Sequence, residues 1–356
     1  MSARTTPGAV AVLGLLVAAA SGCSIQEMAV DQMVPVLEKT RDDFNRGTVV
    51  ENARQAGPAL VAFLNGLAEG SPQNPQLRLL QAELNFSYAF AFLEESNPAW
   101  ATESYQKAQA AALIALAQED DDLAAELPKL PLAALRARLD EDADENALPA
   151  LFWWAFTRGA EINLHRGDAA RVTDLPRVDV VMEWVVAHDP TFFNAGPHLF
   201  LGMRYLALPP SLGGKPEKGL EHFKRVEELT KHKNLLVRVL QAQFYAPTLA
   251  ATPAGAKIDE VLAAQKRAWE AYYGGLVAVL DAPDDLWPEN AIYNALAKER
   301  AKKLLADPEG NNIIPPPGVK NPYAKGGGDA GGEWGGDAPT KDGKSAKGGD
   351  DEGWGD

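Results

Sequence analysis

Between residues 26 and 306 apolar side chains recur every three or four positions, and no stretch sustains the strict alternation of a half-buried strand. Pro, Gly and Asp/Asn clusters interrupt this period at intervals. The pattern predicts one helix after another. Ile25 to Asn45 reads as a single amphipathic helix marked by Met28, Met33, Leu37 and Phe44, with Pro35 able to kink it. Thr48 is the expected cap of the next helix, which Gly70-Ser71-Pro72 stops. Asn74-Pro75 and Asn97-Pro98 each offer a capping side chain followed by proline at the first helical position. Asp120 to Glu141 reads as a charged helix crossing the surface. Asn146 is the expected start of an aromatic-rich helix containing Phe152, Trp153, Trp154 and Phe156 beside Gly159. Gly167-Asp168 ends it and caps a helix running to about His188, which Asp189-Pro190 breaks. Asn234 to Tyr245 and Ile258 to Leu280 continue the alternation, and Trp287-Pro288-Glu289-Asn290 opens the last helix, through Leu304.

The stretch Asn194 to Thr230 shows how such helices pair. Its first helix carries His198, Leu201, Gly202 and Tyr205. A helix-interior glycine costs up to about 1 kcal/mol, so Gly202 needs the close approach of a second helix. That helix carries Gly219, Phe223 and Val226, at 0, +4 and +7 on one face. Large residues opposite small ones suit ridge-into-groove packing. The spacing is that of a tetratricopeptide repeat stretched at its turn by Pro209, Pro210, Gly213 and Gly214. An ordinary helical hairpin is the competing reading. The same spacing recurs at Ala101, Tyr105 and Ala108, preceded by Ala89 and Phe92 where the repeat expects small and aromatic residues. The expected fold class is therefore all-α, an α-solenoid of antiparallel helix pairs with irregular tetratricopeptide-like repeats.

Both ends differ from this body. Residues 1–22 begin with Arg4 and an apolar core from Ala9 to Ala20, too short for a comfortable transmembrane span. Ala20-Ser21-Gly22 then precede Cys23, the sole cysteine of the chain. This resembles a bacterial lipobox, which implies lipid attachment at Cys23 and cleavage before it. An ordinary signal peptide with a chance cysteine is the alternative. Several acyl chains anchor stably where one would not. In a cell with two membranes, Ser24 after the cysteine favours the outer membrane by resemblance to sorted lipoproteins. Lipidation and the first helix would occupy residues 23–45, and the repeat-like body residues 46–310. Residues 311–356 are rich in Gly, Asp and Lys, with Trp334 and Trp354 in similar contexts. That composition cannot bury a core and predicts disorder, with a solvating spacer favoured over a partner-binding motif.

Composition narrows the function. A formal net charge of -15 argues against nucleic-acid binding, which wants a basic face. One cysteine excludes an intramolecular disulfide. The histidines at 165, 188, 198, 222 and 232 show no metal-ligand spacing. Glu161 and His165 share a helix face, but a surface pair is the plainer reading. No nucleophile elbow or phosphate-cradling loop occurs, and neighbouring carboxylates such as Glu94-Glu95 point to different faces. These observations predict no enzyme activity, no cofactor and no metal. Neighbouring helix positions sit about 100° apart, so Phe152, Trp153, Trp154 and Phe156 cannot share one stripe. They are expected either to be buried on both sides within the solenoid or to line a ligand pocket, with His198 and Tyr205 as its polar points.

In order along the chain, the lipobox cysteine, Ser71-Pro72-Gln73-Asn74-Pro75, the helix ending Tyr88 to Glu94, and Ala101, Tyr105 and Ala108 form one set of marks. Ala150 to Trp154 with Gly159, and Gly196-Pro197-His198 with Leu201-Gly202 running into Gly213 to Lys218, complete it. Together they resemble the TatT component family of TRAP transporter-associated lipoproteins over roughly residues 20–306. The resemblance implies a periplasm-facing helical lipoprotein that self-associates, as a trimer, around a central pore. It also implies partnership with a periplasmic TRAP solute-binding protein and a role with hydrophobic or organic-acid ligands. The acidic segment 118–145 and the Gly/Trp tail depart from the family pattern. A scaffold for cell-envelope assembly is the first rival reading, and a cell-wall hydrolase the second.

Overall fold

A computed structural model describes residues 25–208 and 213–324. Cys23, Pro209, Pro210, Trp334 and Trp354 lie outside the described residues, and so do the readings attached to them. The described residues contain helices and no strand. In order they are α1 (Val34–Asn45), α2 (Val50–Gly70), α3 (Pro75–Tyr88), α4 (Pro98–Ala117), α5 (Asp121–Glu126), α6 (Leu132–Asp142) and α7 (Leu148–Leu164). There follow α8 (Ala169–Val172), α9 (Leu175–His188), α10 (Phe192–Ala207), α11 (Pro216–Leu229), α12 (Leu236–Leu240), α13 (Ile258–Asp281) and α14 (Ala291–Ala306).

Local chemistry sets most of the boundaries. The Asn74 side chain accepts from the Leu77 N–H at 2.9 Å, and Asn97 accepts from the Trp100 N–H. Each satisfies one of the unpaired donors at a helix start. Four expectations are corrected. The stretch 25–45 turns at residues 32–33, so Pro35 falls in the first turn of α1, where its missing N–H costs nothing. Thr48 does not cap α2: Val49 holds that position, without a side-chain bond. Asn146 does not open α7, because Asp144 accepts from the N–H groups of Asn146 and Ala147 in a turn that precedes Leu148. The helix expected from Asp168 to His188 is two, for Asp168 caps only the short α8.

The segment 120–141 is also not a polar crossover. It folds as α5 and α6, and Leu123, Leu127, Leu135 and Leu139 are wholly buried. Their i,i+4 spacing gathers them into a stripe against α4 and α9, leaving the acidic residues outside. Two π turns extend helices: Ala89–Leu93 after α3 and Gln241–Tyr245 after α12.

The helices pack in succession: α2 on α3, α3 on α4, α4 on α7, α7 on α9, α9 on α10 and α10 on α11. This is an all-α solenoid. In the α10–α11 pair, Gly202 lies beneath the Phe223 ring, and a Cβ added at Gly219 would stand 2.7 Å from Leu206 Cγ and 2.9 Å from the Gly202 carbonyl. Val226 is buried in the same cluster. Ala89, Ala101, Tyr105 and Ala108 are buried together in the central core.

The solenoid does not stay open. After α12 and α13 the chain returns, and α14 packs on α1 and α2. Ile292 is buried against Val50 and Ala53. Arg54 to Glu299 (3.4 Å) and Lys303 to Glu95 (3.2 Å) cross between the chain's two ends. Exposed pairs of this kind contribute about 0–1 kcal/mol, so the apolar seam carries most of the closure. Beyond residue 310, Ile313 is wholly buried in the α12–α14 core and Asn321 donates to the Leu305 carbonyl.

Candidate ligand cavity

Closure by α14 walls the concave side of the solenoid and leaves a cavity of about 280 Å³. One water centre needs roughly 10–15 Å³, so this space suits a larger guest. The first helices give Leu64, Leu80, Leu84 and Phe86, the π turn gives Phe90 and Phe92, and α14 gives Ile292 and Leu296. Phe86 stacks on Phe90 at 5.7 Å and meets Phe156 at 4.5 Å between ring centres. The π turn matters here. Its extra residue shifts the helical phase, and Phe90, Ala91 and Phe92 all reach the cavity.

A strained turn forms another part of the wall. Phe193, Asn194 and Ala195 open α10 with φ of 45°, 59° and 61°. The left-handed region costs about 1–2 kcal/mol per non-glycine residue. Edge-to-face packing of Phe193 on Trp153 at 4.7 Å helps to hold it. Phe193 and Asn194 both line the cavity.

Charged groups interrupt this apolar surface at separate points. Arg41 pairs with Glu83 at 3.3 Å and Asp42 at 2.9 Å. Burial pushes the Glu83 carboxyl up, against the pull of Arg41. Arg54 lies over the Phe92 ring at 4.7 Å and pairs with Glu51 and Glu299. Glu94 accepts from the Tyr105 hydroxyl at 2.8 Å, and burial raises both groups above their usual ranges. Arg300 donates through Nη2 to Gln243 at 2.9 Å and lies 5.6 Å over the Phe90 ring. Among the described residues no carboxylate oxygen comes within 4.0 Å of Arg300. Burial pulls its pKa down, and the fields of Glu94 and Glu95 oppose that.

The candidate residues read from sequence divide sharply. Phe156 lines the cavity. Phe152, Trp153 and Trp154 sit wholly inside the protein core, packed on both sides of α7. His198 Nδ1 lies 2.9 Å from His222 Nδ1. Tyr205 accepts from Lys218 at 2.9 Å and donates to Glu183. Neither His198 nor Tyr205 lines the cavity. Leu201 is buried in the central core, whereas Phe92 is half-buried at the cavity edge.

Glu161 and His165 are not a surface pair. Glu161 is 1% exposed and accepts from Gln106, Gln109, Arg158 and Arg171. Burial pushes its carboxyl up, but the two amides and two arginines outweigh that and hold it below the usual range. His165 bonds Thr102 instead. Among the described residues no cluster of three or more His, Cys, Asp or Glu could hold a metal ion.

Sequence reading missed Arg41, Glu83, Glu94 and Arg300. A signal was present for the last. Arg300 falls four residues after Leu296 and four before Leu304, on the apolar face of its helix.

A family model described as TRAP transporter T-component matches residues 48–310. No curated protein matches the chain. Among the described residues no helix is long and apolar enough to cross a membrane.

Proposed function

Because the chain belongs to the TRAP transporter T-component family, we propose that it docks a periplasmic solute-binding protein and holds or passes a hydrophobic or organic-acid ligand during transport. Family membership makes it an accessory of a transporter in the cell envelope. The finer reading has it face the periplasm, anchored through lipid on Cys23 to the outer membrane and associated with copies of itself, as a trimer by resemblance. The observation that carries the ligand role is the aromatic-walled cavity enclosed by α14. A scaffold needs only packed helices and a concave face for protein. A cavity of this size inside the closed solenoid favours the transport reading over that rival.

The test is mass spectrometry of the whole chain under non-denaturing conditions, with and without the solute-binding protein encoded beside it. The expected result is a defined oligomer that carries a small apolar ligand and takes up the partner. A ligand-free monomer that ignores the partner would turn the reading to an envelope scaffold.

A further inference from the structure

We propose that Arg300 binds the carboxylate of an amphipathic monocarboxylate whose apolar body lies along Phe86, Phe90 and Leu84. The proposal rests on the reading that the cavity holds a ligand, and names the chemistry of that ligand.

Charge accounting is the first argument. Of the cationic side chains that line the cavity, Arg41 is matched by Glu83, Arg54 by Glu299 and Lys303 by Glu95. Of these four cavity cations, Arg300 is the one with no carboxylate among the described residues within ion-pair distance. Arg300 is half-buried, and a partly desolvated cation without a direct ion-pair partner is costly. A leucine at this position would continue the face of Leu296 and Leu304 at no such cost. The arginine is therefore explained by something that is negative and enters the cavity.

Geometry is the second. Gln243 and the Phe90 ring fix the plane of the guanidinium, while Nε and Nη1 have no hydrogen-bond partner among the described residues. A held fork with open N–H groups matches a planar carboxylate better than a point cation would. Phe90 continues from Arg300 into the stacked Phe86, so a head bound at the arginine would lay its chain on an apolar surface.

The third argument limits the charge of the guest. Glu94 lies at the same end of the cavity, close enough for its field to act on Arg300 yet outside ion-pair distance. Glu83 occupies another part of the wall and already holds Arg41. A second carboxylate on the ligand would meet apolar surface, one of these acids, or a cation that Glu83, Glu299 or Glu95 already pairs. One negative charge is therefore favoured over two.

Dodecanoate, dodecanol and dodecanedioate share a chain length and differ in their ends. Binding of each to the whole chain, stripped of co-purified lipid, is measured by calorimetry for the native protein, Arg300→Gln and Arg300→Lys. The native protein is expected to bind dodecanoate at least tenfold more tightly than dodecanedioate. Arg300→Gln should lose about tenfold or more for dodecanoate and nothing for dodecanol, and Arg300→Lys should recover part of the loss. Equal dodecanoate affinity in native protein and Arg300→Gln overturns the role of Arg300 and leaves the cavity reading standing. An equal loss for dodecanol overturns it too, as the mark of a purely structural arginine. If no probe binds the native protein, the cavity reading falls and this proposal with it. Thermal melts of each variant show that it is folded.

Discussion

At the scale of single residues, burial sets how the charged and titratable groups behave. Glu161 keeps its charge in the core because four donors surround it, whereas Glu83 and Glu94 are pushed towards their neutral forms. The histidine pair gives a pH dependence. Burial, then His198 and Lys218, lower the His222 pKa from 6.5 to about 4, with Glu183 opposing, and Arg225 adds to the burial that lowers His198. The folded state thus resists a proton that the unfolded chain accepts. Stability from this group is complete above pH 6.5 and drains away as pH falls towards 4. Solvent screens part of this shift, so urea unfolding at pH 7.5 and pH 5.0 should show native protein losing about 1 kcal/mol more than His222→Gln between the two conditions. Equal losses would mean that His222 does not couple to folding.

At the scale of elements, small residues decide which helices can approach. Gly202→Ala places a methyl group into the Phe223 ring, so its gain in helix propensity is outweighed. A destabilisation of about 1–3 kcal/mol is expected, as for other overpacked cores. Gly274 in α13 has nothing within 4 Å of an added Cβ, and Gly274→Ala should stabilise by about 0.5–1 kcal/mol. Thermal melts of the two variants should therefore move in opposite directions. The π turns work differently. Ala89–Leu93 sacrifices regular helical bonding and brings Phe90, Ala91 and Phe92 to one cavity.

At the scale of the whole molecule, the decisive event is closure. Arg54 and Glu299 are 245 residues apart, and they meet only because α14 returns to α1 and α2. Without that return the cavity would be an open groove. Ile292→Ala removes buried methylene groups at the seam and should cost about 2–4 kcal/mol. Hydrogen exchange should then quicken in α1, α2 and α14 while the α10–α11 pair stays protected. Quickening spread evenly over the chain would show that the seam is not a separate unit.

The helices, and the way neighbours pair, were legible in the order of residues. Helix period, Asn-Pro starts and small-against-large spacing act within a turn or two, so they can be read from adjacent residues. That order misled where a local signal was overruled nearby: charges hid the leucine stripe of α5 and α6, and a turn closed on Asp144 holds Asn146 outside the helix it was expected to open. Which faces met at long range followed from the folded packing. His198 and His222 stand 24 residues apart, and Glu161 draws its amide donors from a different helix. Arg300 became a cavity residue because closure set it opposite Phe90 and Glu94. No local pattern encodes such meetings, since each depends on the summed packing of every helix between the partners.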